Sequence, residues 1–256
     1  MTARPRGRAV SMLGRLGVRL SVVVAGMAGV MTVALPSAYA KTVNRPRPDV
    51  ILSNETTSST WTLADKLVAI HAKPSYSSAK IAQLQLETPD QEALQSYLLL
   101  RERRTSSGAW IELRVPMRPN GKTGWVPRWA LDVFHHTDMQ IVVNRAARQL
   151  RLYRSGHPIY TAPVGVGKPS TPTPPGHFWI TEEFSSDNPF YGPWAFGTSD
   201  YAQDTDFPDG SIVGLHGTNE PSLIPGDPSH GCIRLHNSDI VALSHIVTIG
   251  TPLLVQ

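Results

Sequence analysis

One short stretch of the chain collects the residue types that acyl-transfer chemistry needs. Residues 215–219 read Leu-His-Gly-Thr-Asn, and residues 229–237 read Ser-His-Gly-Cys-Ile-Arg-Leu-His-Asn, with the only cysteine of the chain at position 232. Only a thiolate attacks a carbonyl well, and a neighbouring imidazole can take the proton of the thiol. Glycines let the backbone approach a substrate closely and aim N–H groups at a developing oxyanion. The set therefore predicts acyl transfer through a thioester.

His216 and Cys232 are the pair that would carry out this chemistry. The loop between them is rich in turn-forming residues, including Pro221, Pro225 and Gly226. Residues of this kind permit the chain to fold back on itself, which would bring the imidazole next to the thiol.

Two other interpretations of the same residues stay open. His216, His230 and Cys232 are of types that bind zinc. The fourth ligand would be His236 or Asp227, and neither lies at a familiar zinc-site spacing. Alternatively, the histidines bond backbone carbonyls in a core and the lone thiol is an inert buried group. That second interpretation explains poorly why these residues gather in a glycine-rich loop.

Residues 215–237 resemble the signature of the L,D-transpeptidase (YkuD) catalytic domain, in which a histidine precedes a Ser-His-Gly-Cys sequence by a loop of about this length. The likeness extends over residues 139–256. Residues 164–167 and 171–176 resemble the glycine turn of the family and its Thr-Pro-rich approach to the next strand. Residues 191–194 resemble the loop that flanks the cleft. Arg234 matches the branch of the family that does not carry asparagine at this position.

The resemblance implies a role for each residue at the centre of the site. Cys232 would be the nucleophile and His216 the general base. The backbone carbonyl of Gly217 would hold the imidazole in place of a carboxylate. Backbone N–H groups of His230, Gly231 and Cys232 would line the oxyanion site, with the His230 ring shaping the pocket.

Two further side chains have alternative roles. Arg234 would either bind a substrate carboxylate through its planar fork or form a structural ion pair with Asp227 or Asp239. Ser229 would either donate a supporting hydrogen bond or cap the turn.

The reaction that the resemblance implies has two half-steps. Cys232 attacks the carbonyl of the third residue of a peptidoglycan tetrapeptide stem, expels the terminal D-alanine and forms a thioester. An amine from a second stem then resolves the thioester and gives a 3→3 cross-link. Water as the acceptor would make the site an L,D-carboxypeptidase. No metal or organic cofactor is expected.

A hypothesis from a different class is also open for this chain. It is a cell-wall-binding protein whose catalytic-looking domain is a non-enzymatic or metal-stabilised scaffold. Covalent acylation of the cysteine by a stem peptide would distinguish an enzyme from such a protein.

The sequence pattern around these residues predicts that a mainly β fold positions them. In residues 137–256, the catalytic domain, strand-like runs cover 140–143 and 149–153, and Leu150 and Leu152 face one way. A short C-terminal helix is capped by Asn237 or Ser238, and a final strand covers 251–255. Aromatic residues within 184–207 predict either a mobile wall of the cleft or a satellite core.

Residues 50–134 are predicted to form a separate unit before the catalytic domain. Five strand-like runs cover 66–70, 81–86, 97–101, 110–115 and 124–126, at barrel-like spacing. Residues 108–110 and 124–127 resemble a bacterial SH3-like domain. The predicted fold class is thus a small SH3-like barrel followed by a β-rich L,D-transpeptidase domain.

The first 40 residues have the pattern of an export segment. Five arginines precede a charge-free apolar run and the sequence Ala-Tyr-Ala at 38–40, which predicts either a cleaved signal peptide or a membrane anchor. Residues 41–49 then form a linker. Without those arginines, 19 basic residues face 20 acidic ones in the remainder, so a nucleic-acid partner is not expected. The protein is predicted to be exported, to the periplasm or the cell wall.

Overall fold

The computed structural model describes residues 48–89, 93–203 and 212–256, which form two β-sheets and a short helix. The predicted leader at 1–40 and most of the predicted linker lie outside the described residues. The described residues form one compact unit. In the described part of the chain, no helix has the length and apolar character needed to cross a membrane.

The first sheet is built from strands that hydrogen-bond in the order β4-β3-β7-β6-β5-β2-β8, with β1 paired to β5. Its strands are β1 (Val50–Ile51), β2 (Ser59–Leu63), β3 (Ala69–His71), β4 (Lys80–Gln83), β5 (Ser96–Thr105), β6 (Gly108–Arg114), β7 (Thr123–Pro127) and β8 (His135–Thr137).

Each of the five strand-like runs predicted in residues 50–134 overlaps one strand of this sheet. The pattern overlooked β1, β2 and β8, which are short or carry polar residues such as Ser59 and His135. Apolar side chains at alternate positions, such as Leu99, Ile111 and Leu113, are fully buried in its core. An SH3-like barrel stays a prediction for this region.

The second sheet follows the order β11-β10-β9-β18-β13-β14-β15-β17-β12-β16. Its strands are β9 (Met139–Asn144), β10 (Gln149–Arg154), β11 (His157–Pro163), β12 (Gly165–Gly167), β13 (Gly176–Ser185), β14 (Trp194–Tyr201), β15 (Ile212–His216), β16 (Gly226–Ser229), β17 (Ile233–Arg234) and β18 (Pro252–Val255). Most neighbours are antiparallel, but β15 and β17 run parallel, as do β9 and β18 and also β12 and β16.

A mainly β fold with one short helix near the C-terminus was predicted and is confirmed within the described residues. Leu150 and Leu152 face the core of the second sheet, as their alternation predicted. The helix, α1 (Asn237–Ser244), buries Ile240 and Leu243 against the same core.

The predicted cap of α1 was wrong. His236 occupies the N-cap position, and its side chain makes no capping hydrogen bond. Asn237 is the first helical residue, and its Oδ1 accepts the backbone N–H of Thr218 at 2.8 Å instead. An amide placed between two segments bonds whichever N–H comes within reach, which the local sequence does not reveal.

The two sheets contact each other through polar side chains. Trp179 donates its indole N–H to Ser96, at 3.1 Å from Oγ, and Gln140 donates to the carbonyl of Glu55 at 2.7 Å. Asn120, between β6 and β7, bonds the end of β14. Residues of the first sheet and its loops therefore contact the second sheet, which carries the candidate site, at several points.

Candidate active site

Two parallel neighbouring strands bring the imidazole and the thiol together. β15 ends at His216 and β17 begins just after Cys232, with Leu215 opposite Ile233 and His216 opposite Arg234. Cys232 is half-buried, and its Sγ accepts the backbone N–H of Gly214 at 3.5 Å. A Cβ built on Gly214 would lie 3.7 Å from Cδ2 of His216. The thiol and the imidazole therefore flank the same glycine.

His216 is held in one tautomer with one nitrogen left over. Its Nδ1–H donates to the carbonyl of Gly217 at 2.6 Å, because a carbonyl can only accept. Its Nε2 is buried and has no hydrogen-bond partner among the described residues. Burial lowers the pKa of His216 to about 4, with a smaller lowering from the Arg234 charge and an opposing contribution from Gly217. The imidazole is thus neutral near pH 7 and keeps a lone pair for a proton.

Two aromatic residues form the wall around this imidazole. The Phe190 ring stacks on His216 with 5.6 Å between centroids, and the Tyr191 ring meets it edge-on at 5.1 Å. The Arg234 guanidinium lies over the Phe190 ring, 4.8 Å from its centroid. Both roles predicted for the aromatic segment, a mobile wall of the cleft and a satellite core, stay predictions.

Arg234 forms an ion pair, but with neither predicted partner. Its side chain is 6% exposed, and Nη1 bonds Oε2 of Glu220 at 2.8 Å. Asp227 instead makes two bonds to Arg148, and Asp239 accepts the hydroxyl of Tyr160 at 2.7 Å. Predicting Asp227 or Asp239 was wrong because sequence proximity does not show which carboxylate the return loop brings to β17.

The turn that carries Cys232 is held by hydroxyl groups. Ser229 Oγ donates to the carbonyl of Cys232 at 2.6 Å and accepts the N–H of Gly231 at 3.1 Å, so it plays both of its predicted roles. Gly231 has φ 137°, a backbone conformation that favours glycine. Because its N–H already bonds Ser229, the prediction that this group lines the oxyanion site does not fit this geometry.

Thr173 is a functional neighbour that the sequence interpretation missed. Its hydroxyl donates to the carbonyl of Gly231 at 2.7 Å and accepts the N–H of Gly167 at 2.9 Å. It therefore ties the turn before Cys232 to β12. The Thr-Pro-rich segment at 171–176 was the available signal, but it indicated a family likeness and no contact.

Asn237 is a second missed neighbour. Its Oδ1 bonds the N–H of Thr218, and a Cβ on either Gly192 or Gly217 would lie 2.4 Å from that oxygen. The space for this amide exists because both neighbours lack a side chain. Asn237 thereby supports the segment that presents the Gly217 carbonyl to His216.

The zinc interpretation requires three or more ligands close together. Within the described ranges, no three His, Cys, Asp or Glu side chains are grouped so that they could hold a metal ion. His230 is exposed, and Asp227 is engaged by Arg148.

Comparison with known proteins gives matches in the same region. Residues 138–255 match the family model of the L,D-transpeptidase (YkuD) catalytic domain. The chain is 30% identical over 131 residues to "Putative L,D-transpeptidase YqjB" of Bacillus subtilis, which covers 46% of this chain and 71% of that protein. It is 37% identical over 113 residues to "Putative L,D-transpeptidase YkuD" of Bacillus licheniformis, which covers 44% of this chain and 62% of that protein.

The matched segment spans 62% of the length of the YkuD proteins of Bacillus licheniformis and Bacillus subtilis. Among solved structures, the catalytic domain of an L,D-transpeptidase from Enterococcus faecium aligns with 26% identity and a TM-score of 0.38. That alignment covers 46% of this chain and 97% of the Enterococcus domain.

Proposed function

The chain belongs to the L,D-transpeptidase family, and from that premise we propose that it cross-links peptidoglycan stem peptides through a thioester on Cys232. The acyl donor is a tetrapeptide stem, and the acceptor is an amine of a second stem, which gives a 3→3 cross-link. No metal or organic cofactor takes part in this proposal.

The observation that carries the proposal is the state of His216. The imidazole is buried and neutral, the Gly217 carbonyl fixes its Nδ1–H, and its Nε2 has no hydrogen-bond partner among the described residues. The single thiol of the chain bonds the N–H of Gly214, a glycine that the His216 ring also adjoins. A base of this kind accepts a thiol proton and passes it on, because neither its tautomer nor its ring plane has to be reset.

In the first half-reaction, the thiol proton moves to Nε2 of His216 and the Cys232 sulfur bonds the carbonyl carbon of the third stem residue. Backbone N–H groups of His230 and Cys232 stabilise the resulting oxyanion in this proposal, and that of Gly231 bonds Ser229. The C–N bond to D-alanine then breaks, and the imidazolium donates its proton to the leaving amine.

The second half-reaction reverses the proton flow. His216 takes a proton from the acceptor amine, the amine nitrogen bonds the thioester carbon, and the carbon–sulfur bond breaks. The thiolate recovers the proton from the imidazolium, so Cys232 and His216 return to their starting states.

We assign Arg234 an electrostatic role and not a direct hold on the substrate. Its burial and its bond to Glu220 support the structural alternative. Its charge disfavours the imidazolium form of His216, which keeps the base neutral between turnovers and makes the captured proton easier to pass on.

The proposed place of action is outside the cytoplasm, in the periplasm or the cell wall. This proposal depends on the pattern of residues 1–40, either a cleaved signal or an anchor. It agrees with a peptidoglycan substrate, which lies beyond the cytoplasmic membrane.

Intact-mass spectrometry of the purified protein with a tetrapeptide stem tests the proposal. We expect an adduct on Cys232 equal to the stem minus D-alanine, and transfer of that acyl group to an added stem amine. Cys232→Ala should form no adduct, while Cys232→Ser controls for the size of the side chain. Binding without acylation would support the scaffold hypothesis, and hydrolysis in the presence of excess amine would indicate a carboxypeptidase.

A further inference from the structure

We propose that Asn120, in the connection between β6 and β7 of the first sheet, is a positioning residue for the turn that carries Cys232. It would act through Tyr201 at the end of β14, which lies 81 residues away along the chain. The catalytic part of this inference rests on the proposed function, but the effect on the thiol does not.

The Asn120 side chain hydrogen-bonds both backbone polar groups of Tyr201. Its Nδ2 donates to the Tyr201 carbonyl at 3.0 Å, and its Oδ1 accepts the Tyr201 N–H at 3.2 Å. Its Nδ2 also lies 2.7 Å from Oδ1 of Asp200, a fully buried carboxyl group. One amide thus satisfies both backbone groups of a residue at the end of β14, as a neighbouring strand would.

Other residues of the same β6–β7 connection act on the same short segment. Arg118 donates to the carbonyl of Ala202 at 3.3 Å, and its guanidinium lies 4.8 Å from the centroid of the Tyr201 ring. The Tyr201 hydroxyl reaches the carbonyl of Pro116 at 3.4 Å. Residues of the connection between β6 and β7 therefore contact residues 200–202 on several sides.

Within residues 200–202, Ala202 is the residue that contacts the turn carrying Cys232. A Cβ built on Gly231 would lie 3.1 Å from Cβ of Ala202, so the alanine methyl group packs against the Gly231 backbone. Ser229 and Thr173 bond the N–H and the carbonyl of Gly231. Ala202 thus adds a packing contact to the two hydrogen bonds that position Gly231.

Loss of the Asn120 amide would let residues 200–202 shift away from Gly231. The peptide that links Gly231 to Cys232 would then lose its packing on one face, and the direction of the Cys232 N–H and the position of Sγ would become less defined. A displacement of about 1 Å in a reacting group can cost about a hundredfold in rate. We expect Asn120→Ala to lower the acylation rate by about ten- to a hundredfold, with little change in the KM for the donor.

A matched control is available at another contact between the two sheets. Gln140→Ala removes an amide that donates to the Glu55 carbonyl, and Gln140 has no described contact with the Cys232 turn. Both variants delete one bridging amide. A purely structural role predicts that both lower the unfolding temperature and that neither changes the chemistry of Cys232 in the folded protein.

Alkylation by iodoacetamide measures that chemistry without any peptidoglycan substrate, because Cys232 is the only thiol. We expect Asn120→Ala to shift the pH midpoint of alkylation and to slow the reaction at neutral pH, and Gln140→Ala to leave both unchanged. Identical alkylation profiles for Asn120→Ala, Gln140→Ala and the parent protein would overturn the inference.

Two arms keep the test decisive. If Asn120→Ala does not fold, Asn120→Asp retains the Oδ1 acceptor and removes the Nδ2 donor, so it should still shift the alkylation midpoint. A result at the parent value would again overturn the inference. If no protein is acylated by the stem peptide, the proposed function fails, yet the contrast in alkylation still tests the positioning role.

Discussion

Buried polar groups are paired in the first sheet but are left without partners at several points of the second. In the first sheet, the buried Thr62 donates its hydroxyl to the Val133 carbonyl at 2.8 Å. Partly exposed charged groups there are paired as well: Arg103 makes two bonds to Asp49, at 2.7 and 2.6 Å, and Arg114 bonds Glu55. The hydrogen bond from Arg103 lowers the pKa of the Asp49 carboxyl group. Among the described residues, every buried side-chain nitrogen or oxygen without a hydrogen-bond partner lies between 145 and 234: Arg145 Nε, Thr171 Oγ1, Trp194 Nε1, Asp200 Oδ2, His216 Nε2 and Arg234 Nε.

The unpartnered buried atoms therefore occur in the region that contains the candidate site. An unpaired buried polar atom costs free energy, so a folded protein retains one chiefly where another requirement overrides stability. His216 Nε2 has such a requirement in the proposed mechanism, because a base whose lone pair is already bonded accepts no proton. Arg234 stacks over the Phe190 ring that covers this base.

The largest expected effect comes from removing the unpaired nitrogen of His216. His216→Ala should slow acylation of Cys232 by about 10²–10⁴-fold, the contribution typical of a general base. The measurement is the time course of adduct formation by intact mass. His245→Ala, which removes an exposed histidine just after α1, is the matched control and should acylate at the parent rate. Equal rates for both variants would remove His216 from the mechanism.

The next effect concerns Asp200, whose carboxyl group combines full burial with an unpartnered oxygen. Burial raises its pKa from 3.8 to about 8, against opposing hydrogen bonds from Asn120 and Tyr201. The unfolded chain therefore releases this proton at lower pH than the folded protein, and the parent loses stability as the pH rises from about 4 to about 8.

Asp200→Asn should stabilise the fold, by an amount that grows over this pH range and then stays constant. At about 1.4 kcal/mol for each unit of displaced pKa, the shift from 3.8 to about 8 corresponds to a gain of about 5 kcal/mol at pH 8. Urea denaturation of both proteins at several pH values measures it. A difference that does not change with pH would show that Asp200 does not titrate as described.

Two threonines in one loop give a smaller and more direct contrast. Thr173 uses its hydroxyl for two buried bonds, whereas Oγ1 of Thr171 has no partner among the described residues. Thr173→Val should cost about 1–3 kcal/mol, because it leaves the Gly167 N–H and the Gly231 carbonyl unpaired. Thr171→Val should be neutral or slightly stabilising. Urea midpoints decide the matter, and equal losses for the two variants would contradict the distinction.

The smallest effect is expected for the ion pair between Arg148 and Asp227 on the outside of the second sheet. Both side chains are about one-third exposed or more, so water and salt screen the attraction. Asp227→Asn should leave the urea midpoint unchanged within error, in low and in high salt. A clear loss at low salt would mean that this surface pair contributes more than its exposure indicates.

Local pattern was sufficient for only part of the second sheet. The alternation of Leu150 and Leu152 predicted a strand with one buried face, and that strand is β10. The short C-terminal helix that was predicted to begin near Asn237 is α1. These features depend on neighbours within a few residues, so they can be read from sequence. Short strands such as β1 and β8 are defined by a distant partner and left no such pattern.

The same division holds within the candidate site. The types and spacing of His216, Gly231 and Cys232 determine which atoms can act as base and nucleophile, because pKa and nucleophilicity belong first to the side chain itself. Partners come from strand register and loop return. Glu220 pairs with Arg234, Ser229 engages the Gly231 N–H, and Asn120 reaches Tyr201 from the other sheet. Such contacts join residues up to 81 positions apart. A hydrogen bond forms only within about 3 Å, so a shift of one residue in register would have selected different partners.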